Sequence, residues 1–115
     1  MKLLKIIINK KQELMETLEK EIKKLNITEG AIVSIIGAVD ECRISNMPKE
    51  DAMKDIVSEY NQPLELSGMG DIKDGKPHIH CVLSKENGEA IAGHLHWAKV
   101  KSWPVTVYVL AGGMK

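Results

Sequence analysis

The sequence contains no phenylalanine, and aromatic residues make up only 3% of its 115 positions. Aliphatic side chains must therefore fill any core, and a hydrophobic content of 43% supplies them. Arginine is almost missing as well, Arg43 being the only one. Arginine is the side chain best suited to bidentate recognition of phosphate and guanine. Sixteen Lys+Arg balance sixteen Asp+Glu, so no net charge draws in a polyanion. Cysteine occurs twice, at Cys42 and Cys81, with neither zinc-knuckle nor redox spacing. Buried free thiols in a reducing cytoplasm are the expectation for both. Long apolar runs are lacking too. The run from Leu3 to Ile8 is too short to span a membrane and is interrupted by Lys5. It leads into Asn9-Lys10-Lys11, without the small-residue cleavage site of a signal peptide. The expectation is one cytoplasmic domain over residues 1–115, large enough to bury a core without disulfides and with no membrane partner.

What is present is concentrated. All four histidines fall between His78 and His96, in Pro77-His78-Ile79-His80 and Gly93-His94-Leu95-His96. On a strand, residues two apart project from one face, so each His-x-His pair is expected to point its imidazoles the same way. Between the pairs, Lys85-Glu86-Asn87-Gly88-Glu89 is a strong hairpin signal.

The turn decides whether the pairs meet. A two-residue Asn87-Gly88 loop sets His80 opposite Leu95 and puts the pairs on opposite faces. A three-residue loop, with a type I turn on Glu86-Asn87 and Gly88 in the left-handed region, sets His80 opposite His94 and His78 opposite His96. The second register separates the residues better. It places Ile79, Cys81, Leu83, Ile91, Leu95 and Trp97 on an apolar face. His78, His80, Val82, Ala90, Ala92, His94 and His96 share the other, flanked by small residues that include Ala98. It is the register expected.

Elsewhere, Leu3 to Ile8 reads as a strand. Asn9 and Gln12 form a capping-box pattern at the start of an amphipathic helix over Lys10 to Leu25, with Leu14, Met15, Leu18, Ile22 and Leu25 on its apolar face. Ala31 to Gly37 reads as a strand buried on both faces, and Asp40 to Ser45 as another. Met47 to Asn61 reads as a loop or short turn leading into a strand. Pro63 to Gly70 is a strand ending in glycines, Asp71 to Lys76 a loop, and Val105 to Leu110 the last strand. One long N-terminal helix among mostly hairpin-spaced strands predicts an α+β domain with a largely antiparallel sheet.

The order of these pieces, with Ser34-Ile35-Ile36-Gly37-Ala38-Val39, Pro63-Leu64-Glu65-Leu66-Ser67-Gly68, Pro77-His78-Ile79-His80 and Gly93-His94-Leu95, resembles the plants-and-prokaryotes conserved (PPC) domain. The resemblance covers nearly the whole chain. It implies a compact homotrimeric α+β domain, similar in architecture to the α-acetolactate decarboxylases, which hold zinc with three histidines. His78, His80 and His94 are the positions that match as candidate zinc ligands. Glu65 matches an acidic position of the family's Leu-Glu-Leu strand. It is either a partner that fixes an imidazole tautomer, a general base, an ordinary charged residue on a half-exposed strand, or a hydrogen-bonding residue of an interface. His96 falls where the family varies and reads as a pocket-rim or interface histidine rather than a fourth ligand.

Plant members carry this domain beside AT-hook motifs, so the resemblance points to DNA or DNA-associated proteins as partners. This chain has no Arg-Gly-Arg-Pro hook and no concentrated positive charge. Two functions stand on these residues. One is a binding or regulatory domain with a His-lined, zinc-binding pocket. The other is a metal-dependent, decarboxylase-like lyase acting on a small oxygenated substrate, which calls for an arginine and a second acid near the histidines.

Overall fold

Alternation of apolar and polar residues shapes most of the chain. The computed structural model describes residues 2–114. Strands β1 (Lys2–Ile8), β2 (Ile27–Asn46), β3 (Ile56–Lys73), β4 (Lys76–Ser84), β5 (Ala90–Lys99) and β6 (Val105–Met114) accompany one helix, α1 (Leu14–Lys24). They form one antiparallel sheet in the order β1-β6-β2-β3-β4-β5. The last strand also pairs with the C-terminal half of β2, through Ser45–His94 and Ile44–Leu95. Strands β2 to β5 thus close on themselves, with β6 and β1 extending from the other half of β2. Helix α1 lays Leu14, Leu18 and Ile22 into the core, against Ile8, Ile32, Ile79, Leu83 and other aliphatic residues. An aliphatic core is what a chain without phenylalanine requires. Both cysteines are free and buried in it.

The helix is shorter than expected, eleven residues rather than a long one. Asn9 does not cap it. Half of the capping box forms, since the Asn9 N–H donates to Gln12 Oε1 at 2.7 Å, but this closes a turn in which Lys11 has φ +74°. The helix starts after Glu13, whose carboxylate accepts from the Met15 and Glu16 N–H groups. The same carboxylate accepts from Ala98 N–H at 2.8 Å, so the cap also ties the helix to β5.

Three further readings are corrected. Residues 31–37 and 40–45 belong to one continuous strand, β2. That strand is not buried on both faces in the single chain, because Val33 and Ile36 are 45% and 60% exposed. The segment Asp71 to Lys76 is not a loop. Strand β3 runs to Lys73, β4 begins at Lys76, and only Asp74 and Gly75 turn, both with positive φ. Asp-Gly is a strong signal for such a two-residue turn. The consequence is that Asp71 becomes a strand residue directly opposite His78.

One row of paired residues runs across the sheet on the side away from the core: Ile7, Thr106, Ile36, Ser67, Val82 and Ala92. Ile7, Ile36 and Val82 in this row are exposed, as are Leu3, Val33 and Met69.

Candidate metal centre

The hairpin between β4 and β5 takes the expected register. Gly88 has φ +84°, its N–H donates to the Lys85 carbonyl at 2.9 Å, and Lys85 N–H donates to the Glu89 carbonyl. His80 therefore stands opposite His94, and Val82 opposite Ala92. Ile79, Cys81, Leu83 and Leu95 turn into the core. A left-handed residue at this point costs glycine nothing sterically.

His78 and His80 leave β4 on the same side, and His94 joins them from β5. One ring nitrogen from each of the three lies within 4.8 Å of the others. Ring centroids are 4.9 Å apart for His78–His80, 4.8 Å for His78–His94 and 6.2 Å for His80–His94. Nitrogens bound to one tetrahedral zinc sit roughly 3.3 Å apart. His78 and His80 are exposed, so small ring rotations close the difference. Three neutral imidazoles are a donor set that fits zinc.

The pairing expected between His78 and His96 does not form, because the β4–β5 ladder ends at His80–His94. From His94 onward β5 pairs with β2, as Ile44–Leu95 and then Arg43–Trp97, leaving His96 as the extra residue of a bulge. A bulge re-aims its side chain. His96 Nε2 lies 2.8 Å from Ser45 Oγ, and Ser45 is the one buried polar residue among those described. The bulge also reverses parity downstream. Ala98 goes into the core rather than flanking the histidines, and Trp97 turns outward, where Lys99 Nζ sits 5.7 Å from its ring centre.

Glu65 does not join the cluster. It is exposed on β3 opposite Ser84, four residues before Met69, which is the residue facing His80. Two aspartates lie closer. Asp71 Oδ1 is 3.6 Å from His78 Nδ1. Asp55, from the loop between β2 and β3, lines the same recess as the four histidines, with Ser45, Asn46 and Met47. Neither stood out in the sequence, Asp71 because its segment read as a loop and Asp55 because only the long β2–β3 connection brings it there.

Three glycines frame the cluster by letting backbones meet. A Cβ on Gly70 would fall 1.9 Å from the His78 carbonyl oxygen, one on Gly68 2.6 Å from that of His80, and one on Gly93 2.7 Å from that of Ser45. Burial shifts His94 below the usual imidazole range, and the neighbouring His96, His78 and His80 push it the same way, with Asp55 opposing. A depressed imidazole stays neutral, and so able to ligate, to lower pH. Cys81 and Cys42 lie on the core side, and burial drives their thiols up to about 12 and about 11. They are protonated at neutral pH and are not ligands.

Residues 1–112, which include both His-bearing strands, match a known family. The chain belongs to the Plants and Prokaryotes Conserved (PCC) domain family. A metal-containing protein from Archaeoglobus fulgidus is 33% identical to this PCC domain, with 98% of this chain and 82% of that one covered at a TM-score of 0.76. A plant- and prokaryote-conserved (PPC) protein from Pyrococcus horikoshii is 25% identical, covering 97% and 80% at a TM-score of 0.80. A Bacteroides thetaiotaomicron protein named "putative DNA binding protein" is 21% identical at a TM-score of 0.80 and shares the fold. No curated protein matches the chain.

Proposed function

We propose that this PCC domain is a homotrimeric binding or regulatory module that holds a zinc ion on His78, His80 and His94. The observation that carries the reading is the meeting of three imidazoles from two strands within 4.8 Å, on a face they share with no lysine or arginine in the recess. The 33% identical metal-containing relative supports it. Zinc would polarise, and lower the pKa of, a water in its fourth position. His96 is not one of the three histidines whose ligating nitrogens converge, and its Nε2 is engaged with Ser45, which supports an open fourth position. Metal analysis of protein purified without an affinity tag tests the reading. About one zinc per chain is expected, and a metal-free protein that takes up none on titration would overturn it.

The homotrimer rests on the apolar row Ile7, Ile36 and Val82, with Leu3, Val33 and Met69 beside it, on the sheet face that α1 leaves bare. Exposed apolar residues grouped on one face mark an interaction surface, and the number three comes from the resemblance to the family rather than from this face. Sedimentation should give three chains per particle, and a stable monomer at micromolar concentration would refute it. The two free, buried thiols support cytoplasmic residence. Among the described residues, no helix is long and apolar enough to cross a membrane.

Binding is favoured over lyase chemistry because the arginine that such catalysis calls for is elsewhere, although Asp71 and Asp55 lie beside the histidines. Arg43 is ion-paired with Glu59, and Glu65 faces Ser84. DNA association is weak and salt-sensitive on this reading, since the only arginine is engaged and net charge is zero. Tight, sequence-selective gel shifts at physiological salt would contradict it.

A further inference from the structure

The carboxylate of Asp71 lies outside the His cluster yet faces it. Strand β3 places Asp71 directly opposite His78, with Oδ1 3.6 Å from His78 Nδ1. Next to it in the chain, Gly70 has no side chain, and a Cβ there would meet the His78 carbonyl at 1.9 Å. The two strands are therefore held together at the level of this pair. On the other side His78 meets the rest of the cluster, its ring centroid 4.9 Å from His80 and 4.8 Å from His94.

An imidazole has two nitrogens, and a neutral ring protonates one of them. A metal takes the bare nitrogen, and an acceptor beside the other decides which one is bare. We infer that Asp71 is a positioning residue that holds His78 as the Nδ1–H tautomer and presents its Nε2 to the metal. The separation of 3.6 Å is just beyond hydrogen-bond length. Metal on Nε2 makes the opposite N–H a better donor, and both side chains are about half exposed, so the contact has room to shorten. The residue opposite His80 on β3 is Met69, which offers no carboxylate. The inference rests on the metal reading above and adds to it the residue that orients one ligand.

Two measurements test it. In metal-free protein at about pH 8, where imidazoles are neutral, long-range proton–nitrogen NMR reads each tautomer directly. His78 is expected as Nδ1–H in the natural chain and as the ordinary Nε2–H-rich mixture in Asp71→Ala. Cobalt(II) and zinc titrations should then show affinity falling about 10- to 100-fold in Asp71→Ala. Asp71→Asn keeps an acceptor without the charge and should recover part of the loss. The metal-free melting temperature of both variants should match that of the natural chain, which a merely structural role would not leave unmoved. An unchanged tautomer or an unchanged affinity in Asp71→Ala would overturn this inference alone. A natural chain that binds neither metal would sink the metal reading, and this inference with it.

Discussion

The two His-x-His pairs have the same spacing and different fates. His78 and His80 sit on regularly paired β4, so both rings emerge on one side and meet. His94 and His96 sit where β5 changes partner from β4 to β2; their rings also lie close, 4.7 Å between centroids, but the bulge at His96 sets its Nε2 2.8 Å from Ser45 Oγ. Spacing alone fixes direction only while the ladder stays regular. A pair at the end of a ladder is free to divide its duties. Here one histidine serves the cluster and the other satisfies a buried hydroxyl.

The sharpest way to break this comparison is to remove one ring from each pair. His80→Ala should abolish zinc binding measured by calorimetry, whereas His96→Ala should change the affinity by no more than about twofold, since His96 is outside the convergent set and its Nε2 is engaged with Ser45. Equal losses from both would mean that the bulge does not separate their roles.

The next effect concerns the regular pair. Gly70→Ala forces a methyl against the His78 carbonyl, which is backbone and cannot swing away. Denaturant unfolding should show a loss of about 3 kcal/mol, together with weakened zinc binding as β3 and β4 part. A variant of natural stability would show that the close approach is not required.

Acid should act on the pairs together. Zinc affinity is expected to fall as pH drops through the imidazole range near 6.5, because a protonated ring cannot ligate. The metal-free protein has its own dependence. The folded-state value of His94 lies below its ordinary 6.5, so the unfolded chain binds more protons in that interval. The stability contribution is fully present above about 6.5 and is lost as pH falls through the depressed value. Thermal melts of metal-free protein across this range check the sign, and stability that rises on acidification would refute it.

The smallest expected effect sharpens the second pair. Besides leaving zinc binding intact, His96→Ala removes the side-chain partner of buried Ser45. It should cost about 1 kcal/mol, and the loss should largely vanish in the Ser45→Ala background. Additive losses would show that the two groups do not interact.

The hairpin between β4 and β5 was legible because its information is local. Asn87-Gly88 and the alternation of Ile79, Cys81, Leu83 against His78, His80, Val82 admit few registers, and only one sorts apolar from polar residues. The β3–β4 hairpin carried an equally local signal in Asp74-Gly75, but the glycines at 68 and 70 read as the end of a strand. They are instead the points where β3 and β4 approach most closely. Glycine weakens a strand as an isolated element and permits it as part of a sheet, so the sequence cue pointed the wrong way. The helix start was displaced for a related reason. Asn9 and Gln12 have capping chemistry, yet Glu13 also reaches Ala98 N–H on β5, a contact between distant parts of the chain.

By itself, the sequence determined the aliphatic core, the mostly antiparallel α+β class, the β4–β5 register and the facing of His80 toward His94. Each follows from periodicity, side-chain volume or the steric freedom of one glycine within a few residues of the event. Only the tertiary structure decided the rest. It closed β5 onto β2, which bulged the strand at His96 and moved Ala98 into the core. It also set Asp71 against His78, brought Asp55 to the recess and left Glu65 outside it. Those outcomes depend on which strand pairs with which across long stretches of chain, and a pairing partner is a property of the folded sheet that no local pattern encodes.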